Sequence, residues 1–447
     1  MAVAGLLVLF AVVGVRNATQ YPPVAGTDAE HYLDYARGLV DHWDIPGSDQ
    51  RGYYTPPGFF LLAGTAGKIA GSADMAVPDQ GAQVMNVLFT VLTGALLAWL
   101  VALVLPGRRV VLVVAVAVFV TAPVVVRHAS MYHPQPLAAL LGLLAVVLTT
   151  RLLVKRTAML RHAVAIGVAA GLAQLVRNVG LWSLGVAVVA LVAAAAVRPE
   201  ARRRLLAGAA IVAVVGVSIP LPWYVHLQRA YGDPIFGRFT AGPLTVSVQH
   251  DRPDPGVRLL ASRASLLLAS SSQPARFWVS AGLPEVFTAP HRGTLAPGFL
   301  SILYTDVWGD YFGFWAWGSQ QIELTSDVNR RLVVQSVAGL VPSALAVAGA
   351  LALLGLVATR LRTRLALLPA ALYPAVGVVA MAFYAARAPI ADGDTVKSVF
   401  LLPVVPAFCL AAGLAVDVVL RRHRLAGFLV LVALAASLGL SLEFGVL

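Results

Sequence analysis

The residues best suited to chemistry sit where an overwhelmingly apolar chain turns polar. Between Gly26 and Leu62 runs GTDAEHYLDYARGLVDHWDIPGSDQRGYYTPPGFFLL, acidic and aromatic, directly after the first apolar segment. Asp28 and Glu30 are carboxylates of the kind that can take a proton from a hydroxyl held within hydrogen-bond reach. Tyr32 and Tyr54 stand beside them in the sequence. A structural reading accompanies the chemical one. Thr27 and Glu30 have the spacing of a capping box, which gives Glu30 a job as its N3 residue. An acid at Asp28 also suits the first turn of a helix, against the macrodipole. Further along, Asp306-Val307-Trp308-Gly309-Asp310-Tyr311-Phe312 pairs acids with aromatics, a combination that offers a sugar carboxylates for its hydroxyls and flat rings for its faces. His133 and Gln135 lie in one short polar turn, and Arg177-Asn178 in another. A charge such as Arg177 at the edge of an apolar block either faces a cavity or partner or snorkels to the interface. Arg387 and Lys397 flank the last polar stretch as two more cations near a block edge.

The elements that must position these groups are membrane helices. The chain has 447 residues, of which 59% are hydrophobic and only 12% charged, with a mean hydropathy of +0.81. Soluble chains run roughly 45–50% apolar and about 25% charged. The apolar residues fall in long blocks, most reaching the roughly 17–25 residues a membrane helix needs. The pattern predicts about eleven spans. The first block, Ala2–Val15, is short: about 14 residues cover roughly 21 Å of a ~30 Å hydrocarbon core. No basic region precedes it and no clear small-residue cleavage site follows, so it is kept as a span rather than a signal peptide. In the first loop, Tyr32, Tyr35, Leu39 and Trp43 follow helical spacing, which predicts an amphipathic helix lying on the membrane with its aromatic side down. A second interfacial helix is expected over Phe59 to Ile69. Tyr231-Gly232-Asp233-Pro234 reads as a turn, and Ser270-Ser271-Ser272 as a loop tip.

Charge orients the blocks. Pro106–Arg109, Lys155–His162, Arg198–Arg204, Arg360–Arg364 and Arg421–Arg424 are short and basic, and they alternate with longer loops that hold the acids. Counted with the span ends beside it, the side of the basic set carries about 16 Lys and Arg against 2 acids, and the other side about 17 against 19. The positive-inside rule places the basic set in the cytoplasm and the acidic loops outside. A pI near 10.2 therefore reports topology and anionic inner-leaflet lipid, not nucleic acid. The single cysteine, Cys409, allows no intramolecular disulfide and reads as a small core residue. No phosphate-binding P-loop, Rossmann fingerprint, H-E-x-x-H or paired C-x-x-C occurs, and no fixed-period repeat. The chain divides into 1–225 with the first loop at 17–83, a long loop at 226–331, and 332–447.

Four motifs in order carry a resemblance. They are Asp28-Ala29-Glu30-His31-Tyr32 with Ala36-Arg37 and Pro56-Pro57; His133-Pro134-Gln135; Asp306-Val307-Trp308-Gly309-Asp310-Tyr311; and Lys397-Ser398-Val399-Phe400-Leu401-Leu402-Pro403. Together they resemble the GT-C glycosyltransferases, polytopic enzymes that take a sugar from a polyprenyl-phosphate donor. The bacterial relatives of protein mannosyltransferases and lipid A aminoarabinose transferases are the most similar branch. Two positions depart from that pattern: Ala29 separates an acid pair that is often adjacent, and Gln135 stands where Glu is frequent. The resemblance implies an all-α polytopic membrane protein with extracytoplasmic interfacial helices and a site facing the extracytoplasmic side of the plasma membrane. It makes Asp28 the catalytic base with Glu30 as a second acid, and puts Lys397, Arg387 and Arg177 on the donor phosphate. Tyr32, Tyr54, His133, Asp306 and Trp308 would line the substrates. No cofactor is required by the sequence, and a divalent cation is left open. The implied partners are a polyprenyl-phosphate-sugar donor, membrane lipids and a glycan, lipid or protein acceptor. A secondary transporter or lipid flippase is the rival reading. Transporters place ionisable groups near the bilayer midplane and repeat their halves, whereas the charges here lie at loop ends.

Overall fold

The computed structural model describes residues 1–26, 28–47, 52–69, 80–155, 159–232, 234, 275–292, 294–295, 298–315, 326–387 and 396–446. Among them every regular element is helical. That is the expected solution in lipid, where only a helix or a closed barrel satisfies its own backbone. In chain order the helices are α1 (Ala2–Gln20), α2 (Ala29–His42), α3 (Gly58–Ile69), α4 (Gln80–Val104), α5 (Arg109–Thr121), α6 (Pro123–Ala129), α7 (Gln135–Lys155), α8 (Met159–Val176), α9 (Gly180–Val197), α10 (Arg202–Ser218) and α11 (Leu221–Tyr231). Then come α12 (Ala275–Val279), α13 (Phe299–Trp308), α14 (Ser326–Ala338), α15 (Leu340–Thr359), α16 (Leu361–Arg364), α17 (Leu368–Arg387), α18 (Val405–Arg422) and α19 (Arg424–Phe444).

Eight of the described helical segments are long and apolar enough to cross a bilayer, ten if each of two bent pairs is one span. The bends follow proline. Pro123 opens α6 and turns it 58° from α5, and Pro220 and Pro222 flank the 55° break between α10 and α11. Proline removes a backbone donor and clashes with the preceding turn, so a helix stops or kinks there. The tenth block of the sequence, Val399–Leu420, is not among them for a local reason. Its start is a 3₁₀ turn over Ser398–Leu401, and the α18 that follows carries Asp417, Arg421 and Arg422 within 18 residues. α18 packs against α5 and α15. Close approach there needs glycine. A Cβ on Gly349 of α15 would sit 2.0 Å from the Ala411 carbonyl oxygen of α18, and one on Gly413 would sit 2.6 Å from that of Val111 on α5. The first block gains length, since α1 continues through Arg16 and Asn17 to Gln20.

Two expectations for the first loop change. The helix begins at Ala29 with Asp28 as its N-cap, in the left-handed region at φ 56°, and with no side-chain cap. Thr27 lies outside the described residues, and Glu30 is an exposed second residue of α2 rather than the N3 residue of a capping box. The aromatic face of α2 is seated on protein. Tyr32, Tyr35 and Leu39 are buried, with Tyr35 stacked on Phe60 of α3 at 4.4 Å and Tyr32 5.2 Å from the same ring. α3 supplies the apolar surface that the sequence pattern assigned to lipid, and Trp43 alone of the four is exposed. In the long loop, α11 ends at Gly232 with φ 73°, while Asp233 and Ser270–Ser272 lie outside the described residues.

The last part of that loop is sewn into the bundle. Phe277, Phe299, Ile302, Tyr311 and Phe312 belong to the main apolar core. The fastening is Arg127 of α6, 2% exposed. Its Nη1 donates to Asp310 Oδ1 at 2.7 Å and its Nη2 to the Asp306 carbonyl. Asp310 Oδ2 accepts the Trp315 amide at 2.7 Å, and Asp306 Oδ2 accepts the Ser398 amide at 2.7 Å. One guanidinium thus holds α6, the α13 end and the chain entering α18. Removing one partner of a buried ion pair strands the other charge, at about 3–5 kcal/mol. Arg127→Met is expected to lower the apparent Tm of the detergent-solubilised protein strongly. Arg127→Met with Asp310→Asn should recover part of the loss. An unchanged Tm in the single variant would remove Arg127 from this role.

Candidate functional site

Folding brings the two ends of the chain together at Asp28. Lys397, just before the Ser398–Leu401 turn, places its Nζ 4.0 Å from Asp28 Oδ2. The carboxylate is about one-third exposed and the ammonium nearly buried, so the pair lies at the edge of the protein with one side open. The left-handed backbone at Asp28 is one that Asp and Asn tolerate better than other non-glycine residues. Such conformations recur where a side chain is aimed for function. Lys397 is fixed from behind. The neighbouring Ser398 amide is held by the Asp306 carboxylate, and Ser398 Oγ donates to the Asp306 carbonyl at 3.1 Å. The Lys397 ammonium also lies 5.8 Å from the Phe312 ring centroid, within range of a cation–π contact.

A second buried cation stands close by. Arg177, just past α8, donates from Nη1 to Thr55 Oγ1 at 3.0 Å. Its guanidinium lies 5.8 Å from the Tyr32 ring and 5.5 Å from that of Phe400. Burial works against its charge, but Tyr32, Tyr54 and Asp28 outweigh that, so its pKa rises and the guanidinium stays charged. Burial, more than any neighbour, also raises the Tyr32 phenol, with Arg177 opposing and Asp28 and Tyr54 adding. Tyr32 is therefore a neutral hydroxyl at any working pH. Two cations face one carboxylate here, and the local surplus of positive charge suits an anionic ligand.

His133 forms the floor. It is buried edge-on to Tyr32, ring centroids 5.4 Å apart. Its loop is held by Asn86 of α4, whose Nδ2 donates to the Met131 and His133 carbonyls at 2.9 and 2.8 Å. The His133 Nδ1 accepts the Gln135 amide at 3.3 Å, which leaves the proton of a neutral ring on Nε2. Burial, followed by Arg177, His128 and Lys397, holds the imidazole pKa well below its ordinary value. His133 is therefore a neutral N–H donor whose Nε2 has no hydrogen-bond partner in the structure, and the side-chain carboxamide of Gln135 is also buried without one.

The other expected site residues divide. Tyr54 is half-buried, edge-on to Tyr53 at 5.4 Å and within electrostatic range of Arg177 and Tyr32. Asp306 is close to Lys397 in space but buried, its carboxylate engaged by Ser398 and 3.8 Å from Arg127, so it braces the site rather than lining it. Trp308 points elsewhere. Its Nε1 donates to Ser343 Oγ of α15 at 2.7 Å, and its ring covers Gly339. Glu30 is exposed. Arg387 ends α17, and its side chain lies outside the described residues. In the sequence Phe312 and Phe400 are only members of longer motifs and Thr55 carries no signal of its own, whereas Arg127 has one, as an arginine directly after the apolar run Pro123–Val126.

A divalent cation needs oxygen ligands that converge. Among the described residues no three His, Cys, Asp or Glu do so, and the carboxylates of Asp306 and Asp310 already serve Arg127, Ser398 and Trp315. Asp306 and Asp310 are therefore committed to the protein itself.

Neither protein-family models nor curated proteins match the chain in sequence. Solved structures do match in fold. The archaeal oligosaccharyltransferase AglB from Archaeoglobus fulgidus, in complex with an inhibitory peptide and a dolichol-phosphate, aligns at TM-score 0.55 and 15% identity over 99% of this chain. ArnT from Cupriavidus metallidurans, bound to undecaprenyl phosphate, aligns at TM-score 0.52 and 16% identity over 97%. The chain spans 56% and 63% of those two proteins' lengths. The chain shares the fold of these two proteins, a helical bundle with its polar first loop folded back onto it.

Proposed function

We propose that this protein is a membrane glycosyltransferase that moves a sugar from a polyprenyl-phosphate donor to an acceptor hydroxyl on the extracytoplasmic side of the plasma membrane. The observation that carries the reading is the meeting of Asp28 and Lys397 at 4.0 Å with Arg177 beside them. The fold shared with proteins solved with dolichol-phosphate and undecaprenyl phosphate supports a lipid phosphate as the anion.

The chemistry divides among the residues by charge. As the bond between the sugar C1 and the phosphate oxygen breaks, its electron pair stays with the phosphate. Lys397 and Arg177 stabilise the negative charge that develops there. Asp28 takes the proton of the acceptor hydroxyl as its oxygen bonds to C1. A single displacement inverts the anomeric centre. Before donor binds, Lys397 and Asp28 neutralise each other, and an arriving phosphate draws the ammonium away and frees the carboxylate. Tyr32, Tyr54 and the Nε2 proton of His133 are neutral donors for phosphate or sugar oxygens. The acceptor is a glycan, lipid or protein hydroxyl.

Reconstituted protein given radiolabelled polyprenyl-phosphate sugars should release polyprenyl phosphate. Asparagine tolerates the left-handed backbone as aspartate does, so Asp28→Asn isolates the charge. It should lower turnover by at least about a hundredfold while undecaprenyl phosphate still protects the protein thermally. Full turnover in Asp28→Asn would remove the base. Lys397→Ala and Arg177→Gln should instead lose that thermal protection, and undiminished protection in both would refute the phosphate site.

His133 gives a pH test. Its folded pKa lies below the unfolded value, so the stability it contributes is full above about pH 6.5 and falls as the pH drops below that. Being neutral, it puts no step near pH 6.5 into turnover. The pH–rate curves of wild type and His133→Gln should share one shape between pH 5.5 and 8. A wild-type inflection near 6.5 that the variant lacks would make His133 a titrating catalytic group.

A further inference from the structure

At the opposite, basic end of the bundle a buried carboxylate gathers arginines from two helices. Asp417, in the last turn but one of α18, is nearly buried. Its Oδ2 accepts from Arg108 Nη1 at 3.0 Å and from Arg421 Nε at 2.9 Å. Arg108 is the N-cap of α5, and Arg421 lies one turn on in α18. Two guanidiniums converge on one oxygen, so the group is left with a net positive charge, and both side chains remain partly exposed. Their remaining N–H groups form a fork of the kind that binds phosphate bidentately.

The surroundings add charge of the same sign. Arg109, Arg422 and Arg424 adjoin the pair in sequence, and Asp417 is the only acid in 105–112 or 417–428. α5 and α19 both start here. Neither has a side-chain cap or an acid in its first turn, and each begins with arginine. Helix starts carry partial positive charge and favour acids, so this end is electrostatically frustrated as it stands. Leading away from Arg424 along α19, Leu425, Phe428, Leu429 and Val432 form an exposed stripe at i, i+3, i+4 and i+7. A phosphate with acyl chains satisfies both features at once.

We infer that the Arg108–Asp417–Arg421 cluster is a binding site for the phosphodiester headgroup of an anionic phospholipid, whose acyl chains lie along the Leu425–Val432 face of α19. The site needs no part of the glycosyltransferase reading. Asp417 acts as its template, holding the two guanidiniums at a fixed spacing.

Native mass spectrometry and thermal unfolding of the full chain, delipidated and titrated with phosphatidylglycerol or phosphatidylcholine, test this. Phosphatidylglycerol should bind and stabilise, and phosphatidylcholine should not. Arg108→Gln with Arg421→Gln should weaken phosphatidylglycerol binding roughly tenfold or more. Arg203→Gln with Arg204→Gln, which removes equal charge from the exposed start of α10, should leave it within about twofold. Asp417→Asn discriminates most sharply, because it raises the local positive charge while releasing the template. A templated site loses affinity in this variant, whereas a diffuse basic patch gains it. Equal losses in the two arginine pairs, tighter binding in Asp417→Asn, or equal binding of both lipids would each overturn the site. Stabilisation by glycerol phosphate at the same concentration would assign the cluster to a free anion and overturn the lipid.

Discussion

A charge buried in this bundle must have its partner built in, and the rest of the site depends on how Arg127 meets that demand. Its guanidinium is nearly inaccessible on a short helix created by the Pro123 break. It is neutralised by Asp310 and capped by the Asp306 carbonyl, both from the far end of the long loop. The loop cannot leave without stranding the charge, at several kcal/mol. Asp306 in turn holds the Ser398 amide, and so Lys397 is delivered to its place. The pathway from buried arginine to near-surface lysine is a chain of hydrogen bonds, each short in reach and long in sequence.

Around Asp28 the same low-dielectric logic sorts the groups by charge. Arg177 keeps its proton because Tyr32, Tyr54 and Asp28 offset its burial. His133 and Tyr32 are held neutral because burial dominates their surroundings. The outcome is one carboxylate, two cations and several neutral donors within a few residues' reach. The scaffold supporting this is shared with much longer proteins, about three-fifths of whose lengths the chain covers.

Asp306 and Trp308 illustrate why an acid–aromatic motif is ambiguous in sequence. Adjacent in a run that suggests a sugar platform, they serve different masters: Asp306 secures the turn before α18, and Trp308 seals α13 onto α15 over Gly339. Tyr32, Tyr35 and Leu39 make a similar point. Their helical spacing requires a buried face, and periodicity carries no information on whether lipid or α3 covers it.

By itself the sequence determined the solvent, the helical class and the alternation of basic and acidic turns, because these follow from runs of side chains read locally. Asp28 and Lys397 stood out through the motifs that carry the family resemblance, Asp28-Ala29-Glu30-His31-Tyr32 and Lys397–Pro403. The tertiary structure decided what no local pattern carries. It made Asp28 the N-cap in a left-handed conformation, left Glu30 in solvent, and shortened the block at Val399 to a turn and an 18-residue helix. Above all it paired Asp28 with Lys397 and Arg127 with Asp310. Pairing is a matter of distance in space, and for residues hundreds of positions apart that distance exists only once the helices have packed.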